Sequence, residues 1–83
     1  MVSNNERLKK LISRVLDIEL NSITDTTSPE TVESWDSFNG LMMVSELENE
    51  FSVRFTMDEV HAVKCVKDIK EALGLQGVKF EDE

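Results

Sequence analysis

Apolar residues along this chain recur at helical rather than alternating spacing. Leu8, Leu11, Ile12, Val15 and Leu16 follow i, i+3, i+4, i+7 and i+8, which places them on one stripe of a helix. Lys9, Lys10, Ser13, Arg14 and Asp17 make up the polar face. Ser3 can cap the first turn, and Glu6 three residues later would complete a capping box. The pattern predicts a first helix over residues 3–19. From Leu20 to Trp35 the periodicity fails. "NSITDTTSPET" is rich in Ser, Thr, Asn and Asp, which favour turns, and holds the sole proline, Pro29. Ile23, Val32 and Trp35 lie too far apart for a strand and read as pegs pinning a long loop to a helical core. A loop of about 15 residues is unusual in a small domain and more often functional than decorative.

A second helix is predicted from Ser37 to Glu50, with Leu41, Val44, Leu47, Phe51, Gly40 and Met43 turned inward. Asp36 is its expected N-cap, the carboxylate taking an orphan N–H of the first turn. Val53 and Phe55 alternate with polar residues, but two positions do not make a sheet. Thr56 and Glu59 fit a second capping box, so a short helix is predicted at about 57–62. Val66, Ile69, Ala72 and Leu73 predict a last helix over 66–73, with Gly74 as its stop. The expected fold is all-α: a small bundle of three main helices plus one short helix, with a long loop between the first and second. Residues 1–74 are expected to form the domain and residues 75–83 an acidic, mobile tail.

With 83 residues there is room for one modest core, and 40% hydrophobic with 31% charged residues suits a globular chain. No apolar run approaches the roughly 18 to 20 residues of a membrane span. "MVSNNERLKK" lacks the apolar centre of a signal peptide, so a cytoplasmic monomer is the expectation. The single Cys65 offers no internal disulfide. The net charge is −8, and most of it is concentrated: between Glu30 and Val60 stand eight acids and one base, Arg54. Such a field repels nucleic acid and attracts a basic protein surface. Solubility alone would also account for the acids; their concentration in one segment favours docking.

Enzyme chemistry finds few candidates. His61 and Cys65 are the only residues of their kinds; a Cys/His metal site is excluded, and no third group suggests a triad. His61 reads as a surface residue and Cys65 as a packing or capping residue. Three scattered glycines form no phosphate loop. Asp58 and Glu59 read as first-turn acids complementing a helix dipole. No catalytic activity is expected. What remains is Ser37, in "VESWDSFNGLMM", at the first position of the second helix. A helix N-terminus presents unpaired N–H groups and a positive dipole end, which favours a phosphate there. The residues alone leave two readings open: a capping pair of Asp36 and Ser37, or a hydroxyl that carries a phosphodiester.

"WDSFNGLMMVSELENEFSVRF" resembles the prosthetic-group segment of acyl carrier proteins, in which Asp-Ser-Leu opens an apolar helix that ends in Leu-Glu-x-Glu-Phe. Asp36 and Ser37 match the first pair; Leu47, Glu48, Glu50 and Phe51 match the distal end. The likeness extends over most of residues 5–73, through the helix order and the closing "VKDIKEAL". The resemblance implies a non-catalytic carrier. Ser37 would hold a 4'-phosphopantetheine arm, transferred from coenzyme A by a phosphopantetheinyl transferase, with Asp36 as the neighbouring recognition and capping residue. The arm's thiol would hold acyl, aminoacyl or polyketide cargo as a thioester. Implied partners are that transferase, an acyl or aminoacyl loading ligase, and synthase or acyltransferase enzymes with basic docking surfaces. Phe38, Asn39, Leu41, Met42, Glu46, Glu48, Glu50, Asp58 and Glu59 would form the docking face.

Three departures stand beside the serine. Phe38 replaces the usual Leu, Asn39 stands where fatty-acid carriers commonly have an acid, and Met42 where they usually carry a glutamate. They point away from a housekeeping fatty-acid carrier and toward stand-alone carriers of specialised pathways, such as polyketide, nonribosomal peptide, aminoacyl or surface-polysaccharide synthesis. The nearest alternative is a carrier specialised for amino acids. From another class, the rival is an acidic helical module that docks noncovalently and uses no prosthetic group.

Overall fold

Ser3 opens the first helix as the sequence suggests, its hydroxyl accepting the Glu6 N–H at 3.1 Å. Only half of the capping box forms, because the Glu6 carboxylate pairs with Lys10 at 3.3 Å. The computed structural model describes residues 3–80, and among them finds four α-helices and no strand. They are α1 (Asn4–Leu16), α2 (Ser37–Phe51), α3 (Met57–Ala62) and α4 (Val66–Leu75). The all-α expectation therefore holds, with three longer helices and one short one.

α1 stops at Leu16 rather than at residue 19. Asp17 takes the left-handed conformation (φ 55°), and the Ile18 N–H bonds back to the Ser13 carbonyl at 3.2 Å. That six-to-one bond closes a helix end, usually around a glycine. Ser52 (φ 56°) ends α2 the same way, with the Val53 N–H on the Glu48 carbonyl at 3.2 Å. Neither residue is Gly, so neither stop carries the usual signal. Gly74, expected to end the last helix, lies inside α4, one residue before its end. The left-handed residue is Gly77 (φ 97°), and the Val78 N–H returns to the Leu73 carbonyl at 3.1 Å.

The core joins Leu8, Leu11, Ile12 and Leu16 of α1 to Met43 and Leu47 of α2 and to Val66, Ile69 and Leu73 of α4. Ile23, Trp35 and Val53 are buried with them from the connecting segments, and Val32 packs against the cluster half-buried. The pegs thus do pin the long loop. Leu41 departs from the inward stripe. It is 57% exposed, because the buried line of α2 runs through Met43 and Leu47, and a residue two positions from Met43 points away from it. Arg7 meets Glu50 and Arg14 meets Glu46, so the start of α1 lies by the end of α2 and the two run antiparallel.

The long loop contains one 3-10 turn, Leu20–Ser22, and its middle caps another helix. Cys65 stands at the N-cap of α4 but makes no side-chain bond there. The carbonyls of Thr27 and Asp25 accept the Val66 and Lys67 N–H groups instead, at 2.9 and 3.0 Å. Asp25 also takes the Lys70 ammonium at 2.8 Å, and Lys70 is only 10% exposed. Beyond α4 the chain folds back. Val78 and Phe80 pack on the core, the rings of Phe51 and Phe80 lie 6.4 Å apart, and Asn4 donates to the Lys79 carbonyl at 3.0 Å. The packed unit thus reaches Phe80, past the boundary expected at residue 74; residues 81–83 of the tail lie outside the described residues.

Leu73 is fully buried, whereas Leu75 is 85% exposed. Truncating Leu73 to Ala should cost about 2–5 kcal/mol of unfolding free energy in urea titrations. Leu75→Ala should stay within about 0.5 kcal/mol.

Candidate functional site

The start of α2 is built from three consecutive anchored residues and a fourth, Asn39, inside the helix. Ser34 donates its hydroxyl to the Leu16 carbonyl at 2.7 Å, tying the end of the loop to the end of α1. Trp35 is 9% exposed and fixes the chain to the core one residue later. Asp36 is extended (φ −110°, ψ −173°), and its Oδ1 accepts the Asn39 N–H at 2.9 Å. Its carbonyl accepts the Gly40 N–H at 2.7 Å. The Asn39 side chain closes the arrangement, its Nδ2 donating to the Ser34 carbonyl at 2.8 Å.

Ser37 follows as the first residue of α2, and it is exposed. Among the described residues the Ser37 and Phe38 amides have no acceptor, since Asp36 serves only those of Asn39 and Gly40. The first turn contains no acid. Two free N–H groups and the positive end of a helix therefore surround an exposed hydroxyl. An anion attached to that oxygen would meet donors and no acid of the turn itself, so the site fits a phosphodiester.

The surrounding candidates divide into two groups. Phe38, Leu41 and Met42 are 70%, 57% and 45% exposed. Asn39 is half-buried and committed to Ser34 through a donor that an aspartate or glutamate could not supply. The three α2 glutamates are engaged within the chain. Glu46 pairs with Arg14 at 2.7 Å, and Glu50 with Arg7 at 2.8 Å. Arg7 also donates to the Glu50 carbonyl and lies 4.7 Å from the Phe51 ring centroid. Glu48 turns toward the next connection, where Oε2 accepts the Phe55 N–H at 2.9 Å while Oε1 faces Arg54 at 3.7 Å. Glu59 accepts the Thr56 N–H at 2.8 Å in a complete capping box, leaving Asp58 exposed beside it. His61 is exposed, and Cys65 is half-buried at the head of α4.

Sequence reasoning treated Asn39 as a departure and missed that it latches the loop. An amide at N3 of a helix that follows a serine-bearing turn was the available signal. Reasoning also missed the cavity of about 70 Å³ between α2, α3 and α4, lined by residues including Trp35, Met43, Leu47, Val60, Val63 and Ile69. Its walls come from separate helices, so no local pattern announces it.

Residues 6–73 match the family model described as the phosphopantetheine attachment site. The match runs from the first turn of α1 into α4, and the chain belongs to that family of carrier proteins. Members carry a covalently attached 4'-phosphopantetheine, are not themselves catalytic, and interact with phosphopantetheinyl transferases and synthase-type enzymes. No curated protein matches the chain. Among the described residues no helix is long and apolar enough to cross a membrane.

Glu48→Ala should cost about 1–3 kcal/mol in chemical denaturation, because the half-buried Phe55 N–H loses its acceptor. Glu46→Ala, which opens a largely exposed ion pair, should change stability by no more than about 1 kcal/mol. Gly40 lies against Trp35, where an added Cβ would sit 3.6 Å from the indole nitrogen, an ordinary contact. Gly40→Ala should therefore raise the melting temperature, with a gain of up to about 1 kcal/mol from helix propensity.

Proposed function

We propose that this protein is an acyl carrier protein in which Ser37 holds the phosphopantetheine arm. The observation that carries the reading is the exposed Ser37 hydroxyl at the head of α2, inside the segment matched by the attachment-site family. Asp36 directs the helix start and leaves the outermost amides free. A transferase would join the phosphate of coenzyme A to Ser37 Oγ, the hydroxyl proton leaving and the adenosine 3',5'-bisphosphate departing. When attached, the arm supplies the thiol on which cargo travels as a thioester. The protein itself contributes position. Ser34, Trp35 and Asn39 hold the attachment point to the bundle, so that a flexible arm swings from a fixed origin.

We further propose a specialised pathway rather than housekeeping fatty-acid synthesis, with the chain acting in the cytoplasm. Phe38, Asn39 and Met42 support this, since they replace an aliphatic residue and two acids beside the serine. Cargo of the acyl, aminoacyl or polyketide class would be loaded by a ligase or acyltransferase and passed to a synthase.

Incubation with a promiscuous phosphopantetheinyl transferase and coenzyme A should add the mass of one arm to the intact protein, and none to Ser37→Ala. No added mass with several transferases would contradict the carrier reading. Pull-downs in which Ser37→Ala retains all partner binding and cellular function would support the noncovalent module instead.

A further inference from the structure

Residues 76–80 lie beyond the matched family segment, which ends at residue 73, yet they are tied to three separate parts of the bundle. Gly77 takes a left-handed conformation (φ 97°) and turns the chain back, so that the Val78 N–H reaches the Leu73 carbonyl at 3.1 Å. Val78 and Phe80 then pack against the core. The Phe80 ring meets Phe51 at the end of α2, and the Lys79 carbonyl accepts the Asn4 side-chain amide at the start of α1. The third tie is Gln76. Its Oε1 accepts the Arg54 N–H at 3.2 Å while its Nε2 donates to the Arg54 carbonyl. One side chain thus serves both backbone groups of a residue 22 positions away. Arg54 stands in the connection from α2 to α3, and α3 rests over the cavity rather than in the core. None of its six residues is buried. The capping bonds of Thr56 and Glu59 shape that helix without attaching it to anything else. Ahead of α3 the chain is held by buried Val53, by Glu48 on the Phe55 N–H, and by Gln76. Behind it the Asp68 carboxylate accepts the Lys64 N–H at 2.9 Å. Between these ties, Phe55, Val60 and Val63 form the cavity wall that faces Trp35, Met43 and Leu47.

We propose that residues 76–80 form a strap that holds α3 closed over this cavity, and that release of the strap lets α3 lift. The strap acts from a distance. It meets the far end of α2, and the 15 residues of that helix span about 22 Å at the usual rise. The Arg54 backbone is the link between strap and α3. When the strap leaves, both Gln76 bonds break, and the connection keeps only Val53 and the Glu48 carboxylate. A short element with few buried side chains is the kind that opens locally while the rest of a domain stays folded. The strap is itself held by two half-buried side chains and a few single hydrogen bonds, so it too can open without the core helices. None of these contacts involves Ser37, so the device works with or without an arm on that oxygen.

Hydrogen exchange of single backbone amides, followed by NMR on the full chain and on Gln76→Ala and Phe80→Ala, tests the strap. The Phe55, Val60 and Val63 amides should exchange about fivefold faster or more in each variant, the factor that corresponds to one net hydrogen bond. The Thr27 and Thr31 amides sit in loop turns that the strap does not touch, and should stay within about twofold. Urea titration of the same proteins separates the device from plain stabilisation. Lower stability with unchanged α3 amides would mean that residues 76–80 only add packing, and overturns the proposal. Equal acceleration at α3 and in the loop turns would mean loosening of the whole fold, with the same consequence. Acceleration by Gln76→Ala that a folded Phe80→Ala does not reproduce would reduce the strap to one side chain, and overturns it as well. Gln76 is exposed, so its variant decides the matter if Phe80→Ala unfolds. An unmodified Ser37 leaves the strap standing, and a failed strap leaves the carrier reading standing.

Discussion

The Leu16 carbonyl at the end of α1 and the Ser34 hydroxyl near the end of the loop are 2.7 Å apart, and the start of α2 depends on that bond. Residues 17–36 contain no repeating apolar pattern; single buried residues, Ile23 and Trp35, pin them to the core, and polar contacts fix the chain between. Ser34 fixes the loop to α1, and Asn39 reaches back to the Ser34 carbonyl from inside α2. Asp36 stands between them and sets the helix axis. Each bond contributes only about 1 kcal/mol net. Their combined effect is geometric: Ser37 is held at one place on the bundle, with two helix amides beside it and solvent beyond.

The same loop contributes at its middle. Its Asp25 and Thr27 carbonyls cap α4, where Cys65 offers no side-chain cap, and Lys70 locks Asp25 in place. The long loop therefore joins α1, α2 and α4. The apolar core supplies most of the stabilisation, and the α1–α2 ion pairs add little energy, being largely exposed. Their consequence is electrostatic. By matching Glu46 and Glu50 to α1 arginines, the fold offsets part of the charge that α2 displays in the sequence.

Helix order, the buried stripe of α1, the Asp36 cap and the Thr56 capping box were legible in the sequence, because each depends on residues within two turns of one another. The helix ends were harder. Asp17 and Ser52 adopt left-handed conformations usually given to glycine, while Gly74 is helical. Ser37 was legible as a site only through its match to a family pattern; the residues themselves allowed an ordinary cap. The fate of Glu46 and Glu50 was not legible, because it depends on which face of α1 lies against α2. Asn39 was visible but misweighted, since its partner Ser34 lies across the helix start.

The central claim is that Ser37 itself bears the arm. Tandem mass spectrometry of the protein purified from the cells that make it tests this most directly. The account predicts a peptide spanning residues 36–46 that releases a phosphopantetheine fragment and leaves its mark on Ser37. An arm localised to another residue, or a bare Ser37 in protein that is fully active in its cells, would contradict it.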